Sequence, residues 1–183
     1  MFFDRAEKDV QHVLSVDNQN IYGLNNLGII QQRRGNVSDA KNNYRTSCKR
    51  GYSLACENFR ILTSYEVKDE SSVLIEKSRV AIASGNYQQA INYSSEAISV
   101  EPRSSIAHCN RAAAYAYTNN FDKALNDANT AINLDPNMGL AYNNKGFIFE
   151  RQGNREDAIL NYAFGCRLGE SLACNNQRRA QQH

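Results

Sequence analysis

The chain has 183 residues, of which 42% are hydrophobic and 22% charged, and its formal net charge of +2 does not favour a nucleic-acid binder. A mean hydropathy of −0.61 and the lack of a long apolar run exclude a membrane-spanning helix. The first residues lack a basic segment followed by an apolar one, so we expect no secretory signal within them. The length suits one domain or two small ones with a buried core.

The amino-terminal part of the chain predicts a module over residues 1–65. The sequence of residues 3–9 is similar to that of residues 121–127. Residues 3–15 are therefore predicted to be the second helix of a helix hairpin whose first helix is missing. Residues 21–54 predict a complete hairpin. The apolar spacing of residues 55–65 predicts one more helix, which would close the module by covering its last apolar face.

A second module is predicted after a short charged segment. Residues 66–70 are charged and predict a linker with a hinge, and Ser71 is a suitable N-cap for the next helix. The second module spans residues 71–183 and ends in a closing helix at 171–182. Its three predicted repeats are 71–104, 105–138 and 139–172.

The repeats are indicated by a fixed spacing of 34 residues. Pro102 and Pro136 are the two prolines of the chain, and each follows an Ala-Ile-x-x-acid run. The same spacing recurs in the alanines Ala90, Ala124 and Ala158 and in the residues Gly85, Asn119 and Gly153. Gly and Asn at the latter places can take a positive φ, as a tight turn between two helices requires.

This pattern resembles the tetratricopeptide repeat, a helix–turn–helix unit of 34 residues. Residues 105–138 match best, whereas Glu170 in the last repeat stands where proline is expected. The resemblance implies an all-α fold, a right-handed superhelical solenoid of stacked helix hairpins. It also implies a non-catalytic scaffold or adaptor that binds a peptide or partner protein in the concave groove lined by the first helices.

The resemblance also implies which side chains line that groove. An Asn amide can pair with both N–H and C=O of an extended backbone, apolar neighbours could seat side chains, and arginines would favour an acidic ligand. Asparagine is abundant in the chain, so the alternative is that some of these amides merely solvate a helix face. The predicted groove residues are Ile75, Arg79, Ile82, Asn110, Ala113, Tyr117, Asn143, Asn144, Phe147 and Arg151.

The chain does not resemble one well-defined group within the family. Members that clamp the acidic C-terminal tails of heat-shock chaperones use paired basic side chains and asparagines, and here Asn110 alone matches. Ile75 and Leu140 stand where those members have Lys, Arg79 stands for Asn, and Asn144 stands for Arg. Without the paired cations a carboxylate tail loses its main anchors, so we do not expect that partner.

The cysteines predict two disulfides. Cys48 and Cys56 are eight residues apart, as are Cys166 and Cys174, which in a straight helix would be about 12 Å and too far to bridge. A glycine three residues after the first cysteine should end the helix and make a bridge across the corner feasible. Bacterial extracytoplasmic cysteine-rich relatives of this repeat class use a similar bridge. The alternative is small buried apolar cysteines, which is also our interpretation of Cys109.

Disulfides would indicate an oxidising compartment, such as a bacterial periplasm, with the cytoplasm as the alternative. No pattern indicates catalysis, a metal or a cofactor, because none of the three histidines, His12, His108 and His183, is spaced from Cys, Asp or Glu as such a site needs. Two rival functions stay open, an accessory domain of a larger enzyme and an assembly subunit that self-associates through its end helices. A homodimer would use the apolar face of the first helix, Phe3, Ala6, Val10 and Val13.

Overall fold

We describe the protein from a computed structural model that covers residues 2–182, without the side chains of residues 2, 3, 66, 68 and 69. Within that range the chain forms ten α-helices and no strand, so the predicted all-α class with helix hairpins stacked as repeats is confirmed. The helices are α1 (Phe2–Val16), α2 (Ile21–Arg33), α3 (Val37–Lys49), α4 (Ser53–Ala83), α5 (Tyr87–Val100), α6 (Ser105–Tyr117), α7 (Phe121–Leu134), α8 (Gly139–Arg151), α9 (Arg155–Arg167) and α10 (Ser171–Gln182).

The chain divides into two compact units, Met1–Val67 and Lys68–His183. In the first unit α1, α2 and α3 pack in chain order. In the second unit each helix from α5 to α10 packs on the next, and α8 also contacts α6 and α10. None of the helices among the described residues combines the length and the hydrophobicity that crossing a membrane requires.

The helix α4 corrects three sequence-based expectations. A closing helix was predicted to end at residue 65 and a linker to follow at 66–70, but α4 continues through this segment to Ala83. The segment between residues 53 and 83 contains neither Gly nor Pro, so nothing in the backbone interrupts the helix. Ser71, predicted as an N-cap, instead lies inside α4 and is fully buried.

The turns inside the hairpins have the predicted backbone conformation. Gly35, Gly85 and Gly153 have φ between +74° and +83°, and Asn119 has φ +60°. In each turn the N–H of the residue after the positive-φ position donates to a carbonyl five residues earlier, as from Asn120 to the Tyr115 oxygen at 2.9 Å. This arrangement satisfies carbonyls at the helix end and returns the chain antiparallel to itself.

Close contacts between a glycine and a tyrosine form the core of two hairpins, α2–α3 and α8–α9. A Cβ added to Gly146 of α8 would lie 2.6 Å from Cδ1 of Tyr162, and one added to Gly28 of α2 would lie 2.7 Å from the Tyr44 ring. Both tyrosines are almost completely buried. Their hydroxyls donate to the side chain of the second-to-last residue of the facing helix, Tyr44 to Gln32 and Tyr162 to Glu150.

Both predicted disulfides are present. Cys48 is bonded to Cys56 and Cys166 to Cys174, with Cα atoms 4.6 Å apart in each pair. The glycine between the cysteines has a positive φ in both cases and ends the preceding helix. Cys109 is a buried free cysteine. Burial raises the pKa of its thiol to about 12, against the opposing effect of a hydrogen bond from Asn144.

We predict that thiol titration separates these cysteines. The protein prepared without reductant should show one reactive thiol after denaturation, because four cysteines are bonded and Cys109 becomes accessible. The native protein should show none at pH 8, because the Cys109 thiol is buried and protonated. Five reactive thiols in the denatured, unreduced protein would contradict both disulfides.

Candidate functional site

A groove of about 390 Å³ lies in the second unit, along one side of the helix stack. Its walls come from α6, α8, α10 and the last turns of α4, which are the alternate helices of the stack. Apolar and polar groups share the surface. The lining residues are Arg79, Ile82, Ala83, Asn110, Ala113, Tyr117, Leu140, Asn143, Asn144, Phe147, Leu172, Asn176 and Arg179.

The structure brings most of the predicted groove residues together here. Eight of them line it, Arg79, Ile82, Asn110, Ala113, Tyr117, Asn143, Asn144 and Phe147. The other two lie beside it. Ile75 packs against the buried cluster of Leu74, Ala97 and Ala107. Arg151 donates to the Asn119 side chain at 2.6 Å, with its guanidinium over the Phe147 ring.

Sequence reasoning missed the contribution of α10. This helix was predicted to cover the last apolar face, but it also supplies Leu172, Asn176 and Arg179 to the groove. The signal was available in the chain, since Asn176 follows Asn143 by 33 residues, close to one repeat. In position α10 is therefore one more first helix of a repeat, without a second helix among the described residues.

The groove asparagines also connect neighbouring repeats. Nδ2 of Asn110 donates to the Ile75 carbonyl at 3.3 Å, and Nδ2 of Asn144 donates to the Cys109 carbonyl at 3.1 Å. Both bonds join residues 35 positions apart, in consecutive first helices. Asn176 donates to Oδ1 of Asn143 at 2.9 Å. These amides thus hold the stack together, and the side-chain oxygens of Asn110, Asn144 and Asn176 accept none of these bonds and can accept from a ligand N–H.

Arginines stand on the first and last helices that line the groove. Arg79 of α4 forms a two-point ion pair with Glu76, in which both side chains are well exposed. The hydrogen bond from Arg79 lowers the pKa of Glu76. Arg179 of α10 donates to both carboxylate oxygens of Glu150 at 3.0 and 2.7 Å. Exposed pairs of this kind are weak, so a ligand carboxylate can compete for either guanidinium.

Aromatic rings form a continuous row beside the groove. The Tyr87 and Tyr117 rings are stacked with centroids 4.4 Å apart, and the Phe147 ring follows at 5.0 Å from Tyr117. Each ring comes from a different repeat. Stacking fixes the ring planes, so the apolar wall that Tyr117 and Phe147 present is held in place before any ligand arrives.

A second polar cluster lies away from the groove and has a packing role. Asp127 is buried and accepts two hydrogen bonds from Arg111, at 2.7 and 2.8 Å, and one contact from Nδ1 of His108 at 3.0 Å. The carboxylate is thereby paired and hydrogen-bonded, as a buried charge must be. Among the described side chains, no group of three His, Cys, Asp or Glu is placed to hold a metal ion.

The hairpins and their groove define a helical-repeat protein. The family model described as "Tetratricopeptide repeat" matches residues 71–104 and, in a second form, residues 105–138. These boundaries are those predicted from the 34-residue spacing. Residues 71–138 therefore form two tetratricopeptide repeats. No curated protein sequence matches the chain.

Solved structures with this fold are similar to the chain. The Sgt2 domain of Aspergillus fumigatus is 26% identical, with a TM-score of 0.57 over 62% of this chain and 78% of that one. The first tetratricopeptide-repeat domain of Spaghetti (RPAP3), solved with the HSP90 peptide SRMEEVD, is 27% identical, with a TM-score of 0.55 over 62% of this chain and 92% of that one.

A double domain of yeast Sti1 in an HSP90 complex is 18% identical over 98% of this chain and 77% of that one, with a TM-score of 0.56, and shows the fold alone. These comparisons do not test the resemblance of the cysteine-bearing repeat ends to bacterial cysteine-rich proteins. That resemblance stays a prediction.

We predict that Asn144→Ala lowers the stability of the second unit by about 1–3 kcal/mol, because it removes a buried hydrogen bond between repeats. The midpoint of urea unfolding would measure the loss. Asn129→Ala, at an exposed position of α7, should leave the midpoint unchanged. An unchanged midpoint for Asn144→Ala would mean that its amide is kept for a ligand alone.

Proposed function

We propose that the protein is a non-catalytic adaptor whose second unit binds an extended segment of a partner protein in the groove. The observation that carries the proposal is the exposure of large apolar side chains inside a concave surface. Tyr117 is 41% exposed, Leu140 38% and Leu172 49%. Apolar groups gathered in one groove are typical of a binding site, whereas single exposed apolar residues need no explanation.

The charges support a ligand that carries carboxylates as well as apolar side chains. The lining residues include Arg79 and Arg179 and no acidic residue, and these arginines stand on the first and last helices of the groove. A segment crossing from α4 to α10 makes three helix-to-helix steps of about 8–10 Å each. An extended chain of eight or nine residues, at about 3.3 Å per residue, covers that distance.

The comparisons support a peptide ligand in general, but the residues argue against the chaperone tails. The Spaghetti (RPAP3) domain was solved with an HSP90 peptide. In this chain Ile75 and Leu140 stand where the family's clamp has Lys, and Asn144 stands where it has Arg. Asn144 is buried and donates to the neighbouring repeat. We therefore propose an internal segment with separated carboxylates as the ligand.

The proposal is tested with a fluorescein-labelled, amidated nonapeptide that has two glutamates at each end and leucine and phenylalanine between them. Fluorescence anisotropy should detect binding, and Leu140→Ala should weaken it about fivefold through the lost apolar contact. Leu160→Ala, an exposed leucine of α9 outside the groove, is the matched control and should bind as the parent protein does.

Charge is tested with the same peptide carrying lysines in place of glutamates, which should bind more weakly. Equal affinity for both peptides would contradict the acidic ligand. No binding of either peptide by the parent protein would remove the groove proposal itself.

A second candidate function is self-assembly through α1. Val13 and Val16 are 42% and 81% exposed on this helix, while Val10 is half-buried. The side chain of Phe3, part of the predicted dimer face, lies outside the described residues. Light scattering at about 50 µM protein separates the two candidates, since an assembly subunit should be dimeric or larger. A monomeric protein would contradict self-assembly.

The proposed setting is an oxidising compartment, such as a bacterial periplasm. Two disulfides in one chain support it, because such bonds persist where the surroundings do not reduce thiols.

An accessory role within a larger enzyme is compatible with the same groove, which would then bind the segment that the enzyme acts on.

A further inference from the structure

The helix α10 is part of the binding surface of the second unit. Leu172, Asn176 and Arg179 face the groove from this helix and supply one of its two arginines. Leu172 is also the most exposed of the large apolar residues in the groove. Any ligand that spans the groove from α4 therefore needs α10 in place for its last contacts.

The apolar docking of α10 is light, and hydrogen bonds from Asn176 to Asn143 and from Arg179 to Glu150 supplement it. Its buried side chains are those of Ala173 and Ala180, which are small. Ala180 packs against Ala158 and Tyr162, and its carbonyl accepts a hydrogen bond from Arg155 at 2.7 Å. The alanine contacts remove little apolar surface from water, and a helix of 12 residues is marginal by itself.

A covalent bond supplements these contacts. Cys166 near the end of α9 is bonded to Cys174 in the first turn of α10, across the corner at Gly169. Both cysteines are half-buried, so a small reductant can reach the bond. The bond fixes the start of α10, which lies within two residues of Leu172.

Resting on the proposed function, we infer that the Cys166–Cys174 disulfide holds α10 as the last wall of the groove, so that ligand affinity depends on the redox state of this pair. A dithiol reductant supplies two electrons and two protons. The S–S bond breaks, two thiols form, and the reductant closes to its own disulfide. Released α10 then leaves its docked position for part of the time, and Arg179 and Leu172 leave the groove with it.

The first unit contains a matched counterpart. Residues 48–58 and 166–176 share the same pattern at a constant offset of 118, and Asn58 donates to Asn25 as Asn176 donates to Asn143. At the place of Arg179 the first unit has Ile61. Removing Cys48–Cys56 therefore deletes an equivalent disulfide without touching a residue that lines the groove of the second unit.

The experiment compares C166A/C174A with C48A/C56A in the full chain, with the glutamate-flanked nonapeptide as the probe. If α10 is docked in about one molecule in ten without its disulfide, the Kd of C166A/C174A rises about tenfold. C48A/C56A should bind as the parent protein does. Dithiothreitol should weaken binding by the parent protein to a similar degree and should not weaken binding by C166A/C174A further.

Hydrogen exchange gives a readout that does not require the peptide. In C166A/C174A the amides of α10 should exchange faster while those of α6 stay protected, which also establishes that the variant is folded. Unchanged protection of α10, or unchanged affinity in C166A/C174A, would overturn this inference and leave the proposed function intact. A parent protein that does not bind the peptide at all would overturn both.

Discussion

Each unit depends on pairs of helices that approach more closely than ordinary side chains permit. The Gly146 backbone lies against the ring of Tyr162, at a distance where even a methyl group would collide with the ring. Gly28 and Tyr44 repeat the contact in the first unit. A single hairpin made this way still exposes an apolar face, so it is stable only when a neighbour covers that face. The stack, and with it the groove, follows from this requirement.

Hydrogen bonds between repeats give the stack its register. Apolar contacts between alanine-rich helices are tolerant of small shifts, but the bonds from Asn110 and Asn144 to carbonyls one repeat away are directional. They join consecutive first helices on the groove side. The surface that a ligand would meet is therefore held in shape beforehand, which reduces the entropy lost on binding.

The sequence predicted the repeats well because their signals are local and recur in phase. Gly85, Asn119 and Gly153 lie where the backbone requires a positive φ, and the disulfides follow from a glycine between two cysteines. The continuity of α4 was not predictable in the same way. A charged run such as residues 66–70 suits an exposed helix as well as a linker, and no Gly or Pro decides between them.

The site was less predictable than the fold, since position in a repeat does not specify what a side chain bonds to. Asn144 lies at a groove position and uses its amide donor on Cys109, a contact that depends on packing between repeats. Ile75 lies at another and packs inward. The role of Arg179 could be predicted only if α10 was known to take the place of a first helix. The 34-residue spacing of the prolines ends before α10 and does not show this.

Asn119 illustrates how one residue can serve two requirements at some energetic cost. Among the described residues it alone has a positive φ without being glycine, a conformation that costs an L-residue about 1–2 kcal/mol and that Asn tolerates best. In return its side chain accepts the hydrogen bond from Arg151, which glycine could not do. This hydrogen bond holds the Arg151 guanidinium over the Phe147 ring and limits its movement into solvent. The equivalent turns at Gly35, Gly85 and Gly153 only reverse the backbone, whereas this turn also binds a charged side chain.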